Sequence, residues 1–215
     1  MTAMLTLSEL SCSRGHKPLF APVSCVLHPG QALHLEGDNG VGKTSLLRIV
    51  CGLSASDAGE VRWNGRSTRE DPQAFRTNLF YLGHALSLKE ELSALENLLF
   101  DAAVAGRALS QLQALSALAR MGLRGREHLP LRVMSQGQKR RTALARLWAS
   151  QAPLWLLDEP FVALDVQAVD ALRVVMAEHV AQGGMVVFTS HQAVNLARAD
   201  GTPVDVQRYR LEVAP

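Results

Sequence analysis

The chain has 215 residues, of which 47% are hydrophobic and 20% are charged, and its formal net charge is +2. This length can bury one sizeable core, or one core with an inserted lobe, and so small a charge does not indicate binding to nucleic acid or to an acidic surface. The cysteines, Cys12, Cys25 and Cys51, lack disulfide-framework and metal-ligand spacing, so they are expected to be small apolar core residues of a reduced chain. The N-terminus lacks the pattern of a secretory signal, and no apolar run approaches the roughly 18 residues that span a bilayer. We therefore expect any membrane work to be done through another chain.

Short apolar runs bounded by glycine and proline predict strands in the first part of the chain. They lie around Met4–Leu7, Val23–Leu27 and Gln31–Glu36. The third run leads directly into a glycine-rich segment, after which Thr44–Cys51 has helical character. A strand, a glycine-rich loop and a helix, in this order, form the setting that a phosphate-binding loop requires.

The middle of the chain is predicted to be helical. The predicted helices run from a capping box at Ser93 and Glu96 through about Val104, over Ser110–Met121, and from about Ser135 to Trp148. Apolar runs at Leu154–Leu157 and Val186–Thr189 are typical of buried parallel strands, and the tail after Asp200 predicts a short β extension. These elements predict an α/β core of residues 1–87 and 151–215 that carries an all-helical lobe at residues 88–150.

A glycine-rich segment matches the phosphate-loop pattern G-x-x-x-x-G-K-[ST] at every fixed position. Its residues are Gly37, Asp38, Asn39, Gly40, Val41, Gly42, Lys43, Thr44 and Ser45. Glycines let backbone N–H groups turn inward as an anion nest, and the N-terminus of the following helix adds partial positive charge. Lys43 is expected to hold the β- and γ-phosphates, and the Thr44 hydroxyl is expected to bind Mg²⁺. The pattern indicates a nucleoside triphosphate, and the absence of a guanine-reading N-K-x-D sequence favours ATP over GTP.

Two adjacent carboxylates, Asp158 and Glu159, end the apolar strand Leu154–Leu157. Burial of that strand places them at its carboxyl end, where ligands bind in open α/β sheets. Asp158 is expected to bind Mg²⁺, and Glu159 is expected to polarise the attacking water, a role worth roughly 10²–10⁴ in rate.

A third motif, Met134-Ser135-Gln136-Gly137-Gln138, resembles the LSGGQ signature of ABC ATPases, although Met134 replaces the leucine and Gln136 the first glycine. The resemblance extends to Ala163-Leu164-Asp165, which is similar to the D-loop, and to His191, which is similar to the switch histidine at the γ-phosphate. It implies the P-loop NTPase fold of an ABC ATPase domain, in which a parallel-sheet core with an antiparallel β part carries an inserted helical lobe. It also implies a homodimer in which Ser135, Gln136, Gly137 and Gln138 of one copy cap the ATP that the other copy holds.

One departure from the family pattern is His84, which stands where ABC ATPases usually carry a glutamine near Mg²⁺ or the attacking water. An imidazole can make a similar hydrogen bond but, unlike an amide, titrates in the physiological range, so activity could have an added pH dependence.

The segment from Tyr81 to Asn97, which includes Y-L-G-H and A-L-E-N, resembles the CcmA subfamily of ABC ATPases, the ATP-binding subunits of cytochrome c biogenesis systems often labelled haem exporters. That resemblance implies a CcmB-like membrane permease, with CcmC-, CcmD- and CcmE-like proteins nearby, and a peripheral position on the cytoplasmic face of the inner membrane. None of His16, His28, His34, His128 and His179 has the spacing of a haem site, so partner chains are expected to handle haem.

The second departure concerns the adenine base, which ABC ATPases usually stack on an aromatic residue upstream of the phosphate loop. That place falls on Arg14, and the only aromatic residue near it is Phe20. Arg14 is either a cationic platform for the base or an ordinary surface residue.

Three alternatives to the main interpretation stay open: the ATP-binding subunit of another small ABC exporter or importer, a soluble ABC protein that is not a transporter, and a module that holds ATP without hydrolysing it.

Overall fold

The structure is a computed structural model that describes residues 4–15 and 17–214, so His16 lies outside the described residues. The strands, in chain order, are β1 (Leu5–Ser11), β2 (Ser13–Arg14), β3 (Lys17–Pro18), β4 (Val23–Leu27), β5 (Ala32–Glu36), β6 (Ala58–Trp63), β7 (Arg66–Ser67), β8 (Leu79–Leu82), β9 (Leu154–Leu157), β10 (Met185–Thr189), β11 (Leu196–Ala197), β12 (Pro203–Val204) and β13 (Val206–Arg210). The helices are α1 (Lys43–Val50), α2 (Pro72–Thr77), α3 (Ala94–Val104), α4 (Gln111–Arg120), α5 (Gln136–Ala145) and α6 (Val166–Ala181).

Two compact units make up the chain. The first comprises Met1–Gly83, Ala152–Pro160 and Met176–Pro215, and the second comprises His84–Gln151 and Phe161–Val175. The first unit contains the β-sheets, and the second contains α3, α4 and α5.

The first unit has a five-stranded sheet in the order β13-β5-β10-β9-β8, whose described pairings are all parallel. The strands β9 and β10 are buried along their whole length, as their continuous apolar runs predict. Because β5 lies between β13 and β10, the tail after Asp200 supplies a neighbour to the strand that precedes the phosphate loop. The β extension predicted for this tail is therefore confirmed, and it is part of the main sheet.

A second sheet in the first unit is antiparallel and has the order β4-β1-β6-β7. Leu5, Leu7, Val61 and Trp63 alternate with more exposed residues along β1 and β6 and are buried in the same core cluster as Leu46 and Leu47 of α1. This alternation is expected of strands that have one face against a core.

In the second unit, each of the three helices begins at a serine that forms a capping box. Ser93 pairs with Glu96 at α3, Ser110 with Gln113 at α4, and Ser135 with Gln138 at α5. The prediction that α5 continues to Trp148 is wrong, because the α-helix ends at Ala145 and a 3₁₀ turn follows over Arg146–Ala149. The Arg146 guanidinium, which is buried, donates to the carbonyl oxygen of Ala143 at 3.0 Å, and such side-chain bonds to terminal carbonyls accompany the tightening of a last helical turn.

The cysteines depart in part from the sequence expectation. Cys51 is buried in the core, whereas Cys12 and Cys25 are only half-buried, and all three are free thiols.

Within the described residues, none of the helices combines the length and the hydropathy that a membrane-crossing helix needs.

Candidate functional site

The phosphate-loop segment joins β5 to α1, as the sequence predicts. Gly42 is the N-cap of α1 and has a φ of 108°, a backbone conformation that favours glycine. A Cβ atom on Gly42 would lie only 2.7 Å from Cδ1 of Phe20. Phe20 is itself buried against this loop, so it is a packing residue and does not offer its ring to a base.

Lys43 is the first residue of α1, and its side chain is held by the loop that precedes it. Its ammonium group donates to the carbonyl oxygens of Gly37 at 2.6 Å and of Asp38 at 3.1 Å. Lys43 is buried, so its charge is fixed at the loop and little screened by solvent. A phosphate group drawn to the loop would therefore meet a cation that is already in position.

A cleft of about 460 Å³ opens beside the phosphate loop. Its wall is formed by β2, by the residues just before β2 and just after β3, by the phosphate loop and α1, and by the residues that follow β9: Cys12, Ser13, Arg14, Leu19, Asn39, Gly40, Gly42, Lys43, Thr44, Ser45, Arg48 and Glu159. A volume of this order is typical of a site for a small molecule. Arg14, which the sequence analysis placed at the base position, is thus on the wall of the same cleft as Lys43 and Thr44.

Asp158 lies at the carboxyl end of β9 and is bonded from two sides. Thr44 donates its hydroxyl to one carboxylate oxygen at 2.8 Å, and Thr189 donates its hydroxyl to the other at 2.9 Å. Asp158 is 2% exposed, and such bonds to charged groups are stronger than those between neutral groups. The structure therefore brings together Thr44 and Asp158, which the sequence analysis assigned to Mg²⁺.

Thr189 is a residue whose role the sequence analysis missed. It ends β10, it is fully buried, and its hydroxyl also accepts a 2.7 Å hydrogen bond from the backbone N–H of Glu159. One hydroxyl group thereby fixes both acidic residues. The signal in the sequence was a polar residue that ends an otherwise apolar strand, but its partners depend on β10 lying next to β9.

Glu159 and His191 are in direct contact. Nε2 of His191 lies 2.9 Å from Oε1 of Glu159, and because a carboxylate only accepts, Nε2 carries the hydrogen of this bond. Glu159 has a φ of 48°, and such a left-handed conformation costs a non-glycine residue about 1–2 kcal/mol. Strained residues of this kind cluster at functional sites, where the surroundings hold them in place.

The residues at this site fit a magnesium ion that is shared with a nucleotide. The fit rests on a hydroxyl and a carboxylate, Thr44 and Asp158, which are hard oxygen donors already in hydrogen-bond contact. Among the described residues, no group of three or more His, Cys, Asp or Glu side chains could form a metal site on its own. Such a pair suits Mg²⁺, because this ion is usually held by one or two protein oxygens together with phosphate oxygens and water.

The residues predicted to form the signature and the D-loop lie in the second unit and contact each other. A Cβ atom on Gly137 would lie 3.2 Å from the carbonyl oxygen of Ala163, so a glycine allows close approach of the two segments. Arg141 of α5 forms an ion pair with Asp165. Ser135 is the N-cap of α5, and its hydroxyl accepts from the backbone N–H of Gln138 at 3.3 Å.

Two of the predicted signature residues, and the predicted catalytic residue His84, are open to solvent. Ser135 and Gln136 are exposed at the start of α5, and His84, the first residue of the second unit, is exposed as well. They are accessible to a partner molecule.

Several known proteins are similar to this chain. The family model described as "ABC transporter" matches residues 20–162. A "Cytochrome c biogenesis ATP-binding export protein CcmA" from Dechloromonas aromatica is 52% identical over 90% of this chain and 95% of its own length. The protein of the same description from Escherichia coli K12 is 46% identical over 91% of this chain and 93% of its own length.

Solved structures show the same fold. The ATP-binding subunit of an ABC transporter superposes with a TM-score of 0.79 at 26% identity, over 87% of this chain and 79% of that chain. A dimeric ATP-binding cassette, described as a post-hydrolysis state bound to ADP and Pi, superposes with a TM-score of 0.75 at 24% identity, over 87% of this chain and 88% of that chain. The chain has the parallel sheet, the antiparallel sheet and the helical unit of this fold. A family model matches most of its length, and its relatives are about half identical to it. This chain therefore belongs to the ABC transporter ATP-binding family and, within it, to the CcmA group.

Proposed function

We propose that this chain is the ATP-hydrolysing subunit of a membrane ABC complex that serves cytochrome c biogenesis by handling haem. The observation that carries the proposal is the continuous set of contacts from Thr44 through Asp158, Thr189 and Glu159 to His191 at the edge of a nucleotide-sized cleft. The similarity to CcmA proteins over about nine-tenths of the chain supports the biological setting.

ATP binding would use the phosphate loop. Lys43 gives up its bonds to the carbonyls of Gly37 and Asp38 in favour of phosphate oxygens, which are stronger partners for an ammonium ion. The backbone N–H groups from Gly37 to Ser45 and the N-terminus of α1 complete the anion site. Thr44 and Asp158 would hold Mg²⁺, which when bound neutralises phosphate charge.

Hydrolysis would use Glu159 and His191. The Glu159 carboxylate accepts a proton from the attacking water as the water oxygen bonds to the γ-phosphorus and the bond to the β-phosphate oxygen breaks, which gives ADP and phosphate. The Nε2–H of His191 orients that carboxylate in the free chain, and once ATP is bound the same N–H would donate to a γ-phosphate oxygen instead. His84 would make a further bond near the water or the ion in place of the usual glutamine.

The active form would be a homodimer. Ser135, Gln136, Gly137 and Gln138 of the second copy would cap the ATP through the hydroxyl, the backbone N–H groups and the dipole of α5. The ion pair between Arg141 and Asp165 supports this role, because it ties the D-loop to the signature helix that would move with the nucleotide.

Haem handling would require membrane partners. A groove formed by the helical lobe and the His84 segment would receive a helix from a CcmB-like permease, with CcmC-, CcmD- and CcmE-like proteins nearby. The chain would then be a peripheral subunit on the cytoplasmic face of the inner membrane.

The test is Glu159→Gln, which keeps the shape of the side chain but removes the base. We expect phosphate release to fall by roughly 10²–10⁴-fold and MgATP to trap a dimer on size-exclusion chromatography. The exposed Glu70→Gln is the matched control and should leave both properties unchanged. A chain that hydrolyses ATP at the full rate as a strict monomer would contradict the dimeric site.

A second experiment tests the biological setting. We expect a CcmB-like integral membrane protein to co-purify with the full chain from detergent-solubilised membranes. Recovery of a different permease, in place of such a protein, would contradict the role in cytochrome c biogenesis while leaving the ATPase assignment intact.

A further inference from the structure

His34 is a buried polar residue for which the functions proposed above have no use. It lies on β5 among the apolar residues Leu33 and Leu35 and is 1% exposed. Its ring stacks on Phe188 of the neighbouring strand β10, with centroids 4.7 Å apart and planes 6° from parallel. An apolar side chain could fill the same space without the cost of burying polar atoms. The presence of an imidazole here therefore indicates that its polar atoms have a role.

One ring nitrogen of His34 is bonded to the segment that carries His191. Nε2 lies 3.2 Å from the carbonyl oxygen of Ser190, and because a carbonyl only accepts, Nε2 carries hydrogen and donates. This carbonyl belongs to the peptide unit that joins Ser190 to His191. The ring therefore connects the strand before the phosphate loop to the backbone of the His191 segment.

The other ring nitrogen, Nδ1, makes no hydrogen bond among the described residues that would account for a buried histidine at this position. Nδ1 lies 3.3 Å from Oε1 of Glu36, yet it has no hydrogen-bond partner among the described residues. Burial is the main cause that lowers the pKa of His34, so the neutral ring with its hydrogen on Nε2 is the stable form, and it offers no hydrogen to that carboxylate. Arg208 of β13, 3.8 Å from Glu36, and Lys43 of α1 are the cations that face this site, and both oppose a charge on the ring.

The His191 segment has little support on its outer side. Residues 190–193 border an open cleft of about 420 Å³, and the side chain of His191 is 43% exposed. Within the segment, the backbone N–H of Gln192 donates to the Ser190 hydroxyl at 3.1 Å, which shapes the turn but does not attach it to the sheet. The bond from His34 attaches the backbone of this segment to β5, whereas the bond from His191 to Glu159 holds only a side chain.

We propose that His34 is a positioning residue for ATP hydrolysis, which holds the Ser190–His191 peptide so that His191 reaches Glu159. The proposal rests on the function proposed above for His191 and Glu159, and it adds a residue that touches neither ATP nor water. The competing explanation is that His34 only fills the core.

Two substitutions separate these explanations. His34→Leu keeps the bulk but removes the donor, and His34→Gln keeps an N–H donor at about the distance of Nε2. We expect His34→Leu to lower kcat for MgATP hydrolysis by roughly 10- to 100-fold, as a displaced catalytic group does, with KM for ATP within about twofold of the parent value. His34→Gln should recover most of kcat. If both variants lose kcat equally, in proportion to a lower melting temperature, His34 only fills the core.

A matched control is His179→Leu. His179 is also a stacked histidine of the first unit, but its ring lies on Trp155 and against Gly184, at the opposite end of β10 from Ser190. Loss of this imidazole should leave kcat unchanged. If His34→Leu does not fold, His34→Asn replaces it, because the shorter amide keeps polarity at the site but does not reach Ser190.

A double-mutant cycle with His191→Ala shows whether His34 acts through His191. In the His191→Ala background, His34→Leu should change kcat by less than about twofold, since there is no imidazole left to position. An equal loss in both backgrounds would overturn the proposal. If His191→Ala lowers kcat but His34→Leu does not, this inference fails and the proposed function stands, whereas an unchanged kcat in His191→Ala refutes the assigned role of His191 itself.

Discussion

Thr189→Val tests how much the acidic pair depends on one hydroxyl group. Valine has nearly the shape of threonine, so the substitution removes the oxygen atom and leaves the packing at the end of β10 in place. Two hydrogen bonds are lost, the 2.9 Å bond to Asp158 and the 2.7 Å bond from the N–H of Glu159. A buried bond to a charged group contributes about 1.5–3 kcal/mol and a neutral one about 1 kcal/mol. We therefore expect the free energy of unfolding to fall by about 2.5–4 kcal/mol, and the melting temperature by roughly 5–15 °C.

The same substitution should slow catalysis more than it weakens ATP binding. Glu159 has a left-handed backbone conformation, and the bond from its N–H to Thr189 helps to hold it there. Without this bond the carboxylate moves away from its position beside His191, and a misplacement of about 1 Å costs roughly 100-fold in rate. The substitution removes no bond to the phosphate loop itself, so KM for ATP should stay within about threefold of the parent value.

Phosphate release at saturating MgATP and urea unfolding measure the two effects. Thr189→Ser is the control, because it keeps the hydroxyl and loses only a methyl group, worth about 1 kcal/mol. Serine should therefore retain most of kcat. A valine variant within twofold of the parent kcat and within about 0.5 kcal/mol of its stability would refute the assignment of Thr189 as the common support of both acids.

Two further predictions concern the pH dependence of stability and the recognition of the base. Burial lowers the pKa of His179 to about 4, so below pH 6.5 the unfolded chain binds a proton that the folded chain does not. This proton should lower the free energy of unfolding by about 3 kcal/mol as the pH drops from 7 to 4. His179→Phe can keep the stack on Trp155, and in denaturant titrations its free energy of unfolding should no longer show this dependence on pH. An unchanged pH dependence in His179→Phe would contradict the lowered pKa of His179. Arg14→Ala should raise the dissociation constant for ATP about two- to fivefold in calorimetry, with Lys17→Ala of the adjacent strand as control. Equal ATP affinity in the parent and Arg14→Ala would show that Arg14 does not contact the base.

Much of the fold follows from local patterns. The capping box at Ser93 predicts the start of α3, and the structure confirms it with a 2.8 Å bond from the Ser93 N–H to Glu96. The apolar run Leu154–Leu157 is β9 as predicted. In both cases neighbouring residues determine the structure, and a single sequence contains that information.

Other elements carry local signals that the sequence analysis did not use. Val61 and Trp63 alternate with polar residues along β6, and Asp71 followed by Pro72 is a typical helix start, which α2 has. No helix or strand is predicted for this part of the chain in the sequence section above. The end of α5 is different, because Arg146 ends it through contacts with carbonyl groups that helical periodicity does not encode.

The motifs of the candidate site could be predicted, but the links between them could not. Lys43, Asp158 and His191 stand out by their spacing and by the strands that precede them. Thr189 and His34 matter because β10 lies between β9 and β5, and that order is a property of the whole sheet. Local patterns identify the groups that would do the chemistry, whereas the residues that support them depend on contacts between distant parts of the chain.

The position of β5 has a consequence for the synthesis of this protein. Both strands that pair with β5 come from late in the chain, β10 at Met185–Thr189 and β13 at Val206–Arg210. At a translation rate of about 5–20 residues per second, the strands that support the phosphate loop are synthesised on the order of 10–30 s after the loop itself. During that time β5 has two unpaired edges, and such edges invite pairing with other chains. We expect nascent chains that stop before β10 to be unable to retain ATP and to be prominent clients of ribosome-associated chaperones.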